Sequence, residues 1–403
     1  MNEQRTAAAP NADSDRPTID NPQSTACAEL GRSIRTPHYA GLDWLAERSA
    51  TTPGRLALIA EDEALSYGEL NERTSALAGR LAAAGVAAGD RIAALLPPGL
   101  TYATLIHAAA RLQATLVPLN TRLTADELSR QLGRVRPRLL LYDDPHGAVA
   151  AAAANQGIRV RTWHELPSAS PCRLPPQRFD MESAQAIIFT SGTTGEPKGA
   201  MLSFANHFWS AMASAYRLGH DPADRWLSCL PLYHVGGLAV LFRACLYGTT
   251  VVLHSRFEPA AFHHAIDTQA ITGTSLVPVM LQRLLASRQT PWPTSLRLVL
   301  LGGAAASPEL IAAAQEQNLP VATTYGMTEA CSQVATALTQ TVMVKPGTVG
   351  KALLFTSVGI VDETGASLPP GEIGEITVRG PTVMQGYLDD TRATQRALRD
   401  GAL

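Results

Sequence analysis

The sequence predicts an α/β fold: two βα-alternating, mostly parallel subdomains packed together, followed by a small β-rich barrel. Three observations carry this expectation. From about residue 42 to residue 341, short apolar runs bounded by turn residues alternate with segments of helical apolar spacing, the pattern of βαβ units. The 403 residues include 31 Gly and 27 Pro, so turns are many and sharply marked, which suits alternating elements better than a helical bundle. From about Val342 short apolar runs follow one another across Gly/Pro turns with no helices between them, ahead of an expected helix Thr391–Leu398. At roughly 150 residues per domain the length allows two to three domains. The expected divisions are a disordered, solvated tail (1–38), an α/β subdomain (39–185), a second α/β subdomain carrying the chemistry (186–341) and the β-rich unit (342–403).

The elements follow in order. Leu42–Ser49 has Leu42, Leu45 and Ala46 at helical spacing. Leu56–Glu61 and Leu65–Tyr67 are expected strands, and Tyr67–Ala84 a helix with Leu70, Ala76, Leu77 and Leu81 turned inward. The turn Gly85–Asp90 leads to the expected buried strand Arg91–Leu96. Helix Thr101–Leu112, strand Ala114–Pro118, helix Ala125–Arg134 and strand Arg138–Tyr142 continue the expected alternation. Residues 143–182, with an alanine run and Pro171, Pro175 and Pro176, are expected to be a linker holding one strand, Ile158–Thr162. The second subdomain is expected to run through strand Ala186–Phe189, helix His207–Tyr216, strand Arg225–Ser228, helix Gly237–Leu246 and strand Thr249–Leu253. Expected helices Pro259–Gln269, Pro278–Ser287 and Ser307–Gln317 and strands Arg297–Leu301 and Val321–Thr324 complete it. Ser357–Val361 and Glu375–Arg379 are expected antiparallel strands of the last unit.

Composition excludes several function classes. Lys and Arg number 33 and Asp and Glu 35, a formal charge of −2, so the chain lacks the basic surplus that gripping nucleic acid requires. Hydrophobic residues make up 46%, which argues against a disordered chain. Cys27, Cys172, Cys229, Cys245 and Cys331 are odd in number, widely spaced and contain no CxxC pair. Neither a disulfide framework nor a structural zinc is expected, and a reducing, cytoplasmic compartment is. No apolar run approaches the roughly 18 residues of a membrane span, and the N-terminal stretch lacks the apolar core of a secretory signal.

The strongest chemical signal is Ile187–Met201, IIFTSGTTGEPKGAM. An expected strand runs into Thr190, Ser191, Gly192, Thr193, Thr194 and Gly195, and Lys198 follows. Glycines allow the backbone to approach a ligand, while amides, hydroxyls and one ammonium form a nest for phosphate oxygens. It is not a Walker A loop: Pro197 precedes Lys198, and Gly199 follows it where Ser or Thr is required.

This loop, together with Tyr325–Glu329 (YGMTE), resembles the signature motifs of the adenylate-forming acyl-CoA synthetases, a family that includes luciferases and non-ribosomal peptide adenylation domains. The resemblance runs from about Leu42 to Leu403. It implies that Tyr325 and Gly326 lie against adenine, that Thr328 contacts the α-phosphate, and that Glu329 helps hold Mg²⁺. Lys198, Thr328 and Glu329 are the implied catalytic set. Gly302, Gly303 and Ala304 of LGGAA would line the adenine and acyl pocket, with His234 and Gly236 of PLYHVGG at the acyl wall. His234 is not expected to be a base, because a carboxylate is already ionised at neutral pH.

The implied co-substrates are ATP, coenzyme A and a small carboxylic acid. No nucleic-acid partner is expected, and a homo-oligomer is compatible with the reading. PLYHVGGLAVLFRACLYGTTVVLHSRF and VPVMLQRLL most resemble the branch of o-succinylbenzoate–CoA ligases of menaquinone biosynthesis, with a generic fatty or aryl acyl-CoA ligase, or a truncated nucleotide- or acyl-adenylate-binding protein without turnover, as the alternatives. In that branch the substrate carries a second carboxylate, for which Arg243 is the candidate partner; a surface role for Arg243 is the competing reading. The resemblance further implies a Thr-Gly-Asp and a mobile domain with a catalytic lysine beyond Leu403. The 403 residues are therefore expected to be a large N-terminal domain, impaired in turnover by itself.

Overall fold

The computed structural model describes residues 40–60, 62–168, 178–190 and 197–403. The expected tail and the loop residues Ser191, Gly192, Thr193, Thr194 and Gly195 lie outside these. The chain begins with β1 (Ala40–Leu42), α1 (Trp44–Thr51), β2 (Leu56–Ala60), β3 (Glu63–Ser66), α2 (Tyr67–Ala83), β4 (Arg91–Leu95), α3 (Leu100–Arg111) and β5 (Thr115–Pro118). It continues with α4 (Ala125–Val135), β6 (Leu139–Tyr142), α5 (Gly147–Asn155), β7 (Val160–Thr162), β8 (Arg178–Asp180), β9 (Ala184–Thr190), β10 (Lys198–Ser203) and α6 (Phe204–Leu218). Next come β11 (Arg225–Ser228), α7 (Val235–Tyr247), β12 (Thr250–Leu253), α8 (Pro259–Thr268), β13 (Gly273–Leu276), α9 (Pro278–Ser287), β14 (Leu298–Leu301) and α10 (Pro308–Glu316). β15 (Val321–Met327), β16 (Ser332–Ala337), α11 (Thr339–Val344), β17 (Lys351–Ala352), β18 (Ser357–Val361), β19 (Glu375–Arg379), β20 (Gly386–Tyr387) and α12 (Thr391–Ala397) follow. Capping boxes start α2 (Ser66, Glu69), α4 (Thr124, Glu127) and α6 (Ser203, Asn206).

Two large sheets form the core. One has the order β20-β10-β9-β5-β4-β6-β7, parallel from β9 to β7. The other has the order β17-β16-β15-β14-β13-β11-β12-β2-β3, parallel from β15 to β2. Helices cover the central strands, so β12 and β14 are buried along their whole length and carry no polar alternation.

The sheets cut across the division expected at residue 186. The hairpin β2–β3 joins the sheet of the later residues, and β9–β10 joins the sheet of the earlier ones. The expected β-rich barrel is not closed among the described residues: β17 extends one large sheet, β20 the other, and β18 pairs with β19. The alanine run expected in a linker is helix α5, with Ala150 and Ala153 buried; Ala is the strongest helix former and needs no large apolar face when a sheet lies beneath it. Strands β10, β13 and β16 go beyond the sequence expectation. β13 reads GTSL, with one large apolar residue, and exists because β11 and β14 flank it.

Helix α1 joins the layers. Its cap, Asp43, accepts from Leu45 N and Ala46 N at 3.1 Å and forms an ion pair with Arg111 of α3. Arg111 is 2% exposed, and its other nitrogens reach Ser75 Oγ and Asn71 Oδ1 of α2 at 2.6 Å. On its other side, α1 sends Arg48 to the last carbonyls of α7, Cys245 O at 3.0 Å and Leu246 O at 2.6 Å. Trp44 packs edge-on against Phe179, Phe204 and Phe242.

Removing one partner of a buried pair leaves an uncompensated charge, so Asp43→Ala should cost about 3–5 kcal/mol, read as a lower urea midpoint. Burial holds His107 near pKa 4 and, with Arg243 adding repulsion, His207 near 3. Both values lie below the unfolded imidazole's, so their contribution is complete above about pH 6.5 and is lost as pH falls toward those values, at about 1.4 kcal/mol per group and pH unit. Denaturation midpoints between pH 7 and 4.5 should fall accordingly, and His107→Gln should flatten the fall.

Candidate active site

The hairpin β9–β10 carries the loop. Thr190 and Lys198 are register partners, and Thr190 Oγ1 donates to Lys198 O at 3.5 Å. β20 pairs with the free side of β10, matching Ala200 with Tyr387. Lys198 Nζ consequently sits 5.3 Å from the Tyr387 ring centroid. The Tyr387 hydroxyl donates to Glu329 Oε1 at 2.8 Å, and Met384 N donates to Glu329 O at 2.8 Å. Burial first, and then the Glu329 charge, raise the Tyr387 phenol well above the usual tyrosine range, so it remains a donor. Tyr387 links two sequence-predicted residues but is absent from the expected site; its only sequence signal is a Gly-Tyr after a turn.

A cavity of about 470 Å³ opens at the carboxyl ends of β11, β13, β14 and β15, the usual place for ligands in parallel sheets. Gly302, Gly303, Gly326 and Thr328 line it, with His234, Gly236 and Arg243 opposite. Three separate motifs, LGGAA, YGMTE and PLYHVGG, thus meet in one place, with Arg243 of the helix that follows the last of them. Two glycines are required by close approach. A Cβ on Gly237 would meet Pro231 O at 2.3 Å, blocking the first turn of α7. A Cβ on Gly326 would meet Ser332 O at 1.7 Å, where the β15–β16 register shifts.

Not every expected residue lines the cavity. YGMTE does not follow its strand: β15 runs on through Met327, and its alternation turns Thr324 and Gly326 toward the cavity. Tyr325 packs instead beside the cluster of Ala330, Val334 and Val378. Ala304 also lies outside the lining. Thr328 and Glu329 share one 3₁₀ turn; Thr328 faces the cavity while Glu329 receives Tyr387. The Lys198–Tyr387–Glu329 group therefore adjoins the cavity through a single peptide bond.

Arg243 is buried at 7% exposure, not on the surface. Its Nη1 donates to Gln333 Oε1 at 3.2 Å and Ser214 Oγ at 3.5 Å, and its Nη2 to Ser332 Oγ at 3.3 Å. Among the described residues Nε has no partner and no carboxylate forms an ion pair with the guanidinium. Burial lowers its pKa. Gln333 and Ser332 belong to β16, a strand beyond the sequence expectation. His234 is held below the usual imidazole range by burial and then by Arg122, which favours a neutral ring at pH 7. Among the described residues no three His, Cys, Asp or Glu side chains gather as a metal cage. A cation beside Glu329 would draw most of its oxygen ligands from phosphate and water.

Residues 45–388 match the AMP-binding enzyme family. The chain is 40% identical over 363 residues to a 2-succinylbenzoate–CoA ligase of Bacillus licheniformis, covering 89% of this chain and 74% of that one. It is similar to the structure of o-succinylbenzoate CoA synthetase from Bacillus subtilis in complex with the acyl-adenylate intermediate, with TM-score 0.85, 36% identity and coverage of 90% and 74%. The same values describe its similarity to the Bacillus subtilis enzyme with bound ATP and magnesium, where it covers 75% of that chain.

A buried cation without an anion costs stability, so Arg243→Met should stabilise the ligand-free protein by about 1–2 kcal/mol. Chemical denaturation measures this directly, and a destabilised variant would mean that three neutral acceptors suffice for Arg243.

Proposed function

The chain belongs to the AMP-binding enzyme family, and on that premise we propose that it is an ATP-dependent carboxylate–CoA ligase that takes o-succinylbenzoate, the thioester-forming step of menaquinone biosynthesis. In the first step a carboxylate oxygen attacks the α-phosphorus and the bond to pyrophosphate breaks, giving an acyl-adenylate. In the second the thiol of coenzyme A attacks the acyl carbon, losing its proton, and AMP departs.

Lys198, Thr190 and the loop Ser191–Gly195 would hold the outer phosphates. Thr328, at the cavity rim, would donate to the α-phosphate, and Gly302, Gly303 and Gly326 let the nucleotide approach the backbone. Tyr325 and Ala304, off the cavity lining, would bound the adenine from outside it. Glu329 would hold Mg²⁺, which supplies charge neutralisation for the departing pyrophosphate. Tyr387 fixes the Glu329 carboxylate and lies beneath Lys198, so it is a positioning residue. A cytoplasmic location goes with this reading: Cys229, Cys245 and Cys331 are free thiols, and no described helix is long and apolar enough to cross a membrane.

The observation that carries the substrate class is Arg243. The cavity wall holds a buried guanidinium whose neighbours are hydroxyls and an amide. A monocarboxylate spends its one anion at phosphorus and leaves this cation unpaired, whereas a dicarboxylate supplies both. Neutral His234 and Gly236 would border the reacting carboxylate.

Arg243→Ala should weaken a non-hydrolysable o-succinylbenzoyl-adenylate analogue by about 2–5 kcal/mol while changing a benzoyl-adenylate analogue little. Calorimetry tests this, alongside pyrophosphate release across a panel of acids; equal losses on both analogues would make Arg243 structural. For adenylation, Glu329→Gln should cost orders of magnitude and Tyr387→Phe about tenfold, with the double variant no slower than Glu329→Gln. Additive losses in single-turnover measurements would separate Tyr387 from Glu329.

A further inference from the structure

At the amino ends of β4, β6 and β7 lies a second concavity, of about 450 Å³. Arg91 opens β4, and Arg138 and Arg159 immediately precede β6 and β7. These strands are neighbours and parallel, and Arg138 N donates to Arg91 O at 2.8 Å. One arginine therefore stands at the start of each of three adjacent strands. Arg136, ending α4, lines the same hollow. Asp90 is the one acidic residue in the lining, and its carboxylate already accepts from Ala87 N at 2.8 Å. Among the described residues none of the four arginines is in an ion pair. Like charges on adjacent strands repel, so this row is costly unless an anion compensates it.

Helix capping accounts for only part of the row. Arg91 Nη1 donates to Val135 O at 2.7 Å, Arg138 Nε to Gly85 O at 3.0 Å, and Arg159 Nη1 to Ala84 O. These carbonyls end α4 and α2, and each bond uses one of five guanidinium donors. Arg136 has no such duty. Its side chain is exposed and, among the described residues, makes no hydrogen bond, while its backbone is left-handed, φ 46° and ψ 61°, where glycine is favoured.

We infer that this concavity binds a phosphate-bearing solute, gripped by Arg91, Arg136, Arg138 and Arg159. Guanidinium forks suit phosphate because two parallel N–H groups meet two oxygens. The site is distinct from the nucleotide loop: that loop follows the carboxyl end of β9, whereas the arginines stand at the amino ends of strands running parallel to it in the same sheet. Among the described residues none of the exposed large apolar side chains lines the hollow, so its lining offers no apolar anchor for a lipid bilayer.

The test is calorimetric titration of inorganic tripolyphosphate into the full chain carrying Lys198→Ala, which weakens the nucleotide site. One saturable site that weakens with added salt is expected. Arg136→Gly should weaken it at least fivefold while leaving the melting temperature unchanged or higher, and Arg136→Lys should recover part of the loss. Arg138→Gln with Arg159→Gln should weaken binding further. Absence of saturable binding, or equal affinity in the parent and Arg136→Gly, overturns the proposal. So does cosedimentation with phosphatidic acid vesicles, but not with phosphatidylcholine vesicles, by a chain that ignores tripolyphosphate; that result would assign the arginines to a membrane surface.

Discussion

Arg111 is a charge that the fold must surround. With its side chain at 2% exposure, every donor needs an acceptor, and Asp43, Asn71 and Ser75 converge to provide them. That requirement fixes α1 against α2 and α3. Because Arg48 and Trp44 of the same helix engage α7, this short element ties α2 and α3 to α7, beside the direct bonds of the Tyr67 hydroxyl of α2 to Ala244 O and Thr249 O. The largest apolar cluster crosses this joint, drawing on Leu58 and Val251 from one sheet and Ile92 and Leu141 from the other.

The cavity inherits its shape from this arrangement. Helix α7, held at its end by α1, presents His234 and Gly236 at one end and Arg243 two turns later. Strand β16 returns antiparallel to β15 and brings Ser332 and Gln333 to Arg243. The guanidinium is thus surrounded by groups that orient it without neutralising it. A carboxylate placed there would make the resting protein more stable and leave no charge for a ligand.

The loop hairpin and the cavity meet in the same economical way. β10 and β20 are brief, yet their pairing sets Tyr387 between Lys198 and Glu329. Neighbouring residues of one 3₁₀ turn then serve both sides, Thr328 toward the cavity and Glu329 toward the tyrosine. The seven-stranded sheet carries this hairpin at one end and a row of arginines at the other, so its two ends have opposite electrostatic demands: one gathers a single lysine near a carboxylate, the other concentrates cations beside one occupied aspartate.

Local chemistry determined much of this protein by itself. Helices with Pro starts, such as Pro278–Ser287, and continuous apolar strands, such as Leu298–Leu301, were legible because propensity, caps and burial agree there. Loop glycines, Thr328 and His234 were legible as site candidates because their residue types stand at strand ends. Tertiary structure decided what no local pattern encodes. It placed β2–β3 and β9–β10 in the sheets of the opposite halves, because sheet membership depends on which edge is free. It made GTSL a strand between two others, and it turned Tyr325 away from the cavity through the two-residue period of β15. It also chose Tyr387 and buried Arg243, since both roles arise from strands far apart in the chain, β20 and β16, whose pairing brings the partners within hydrogen-bond reach.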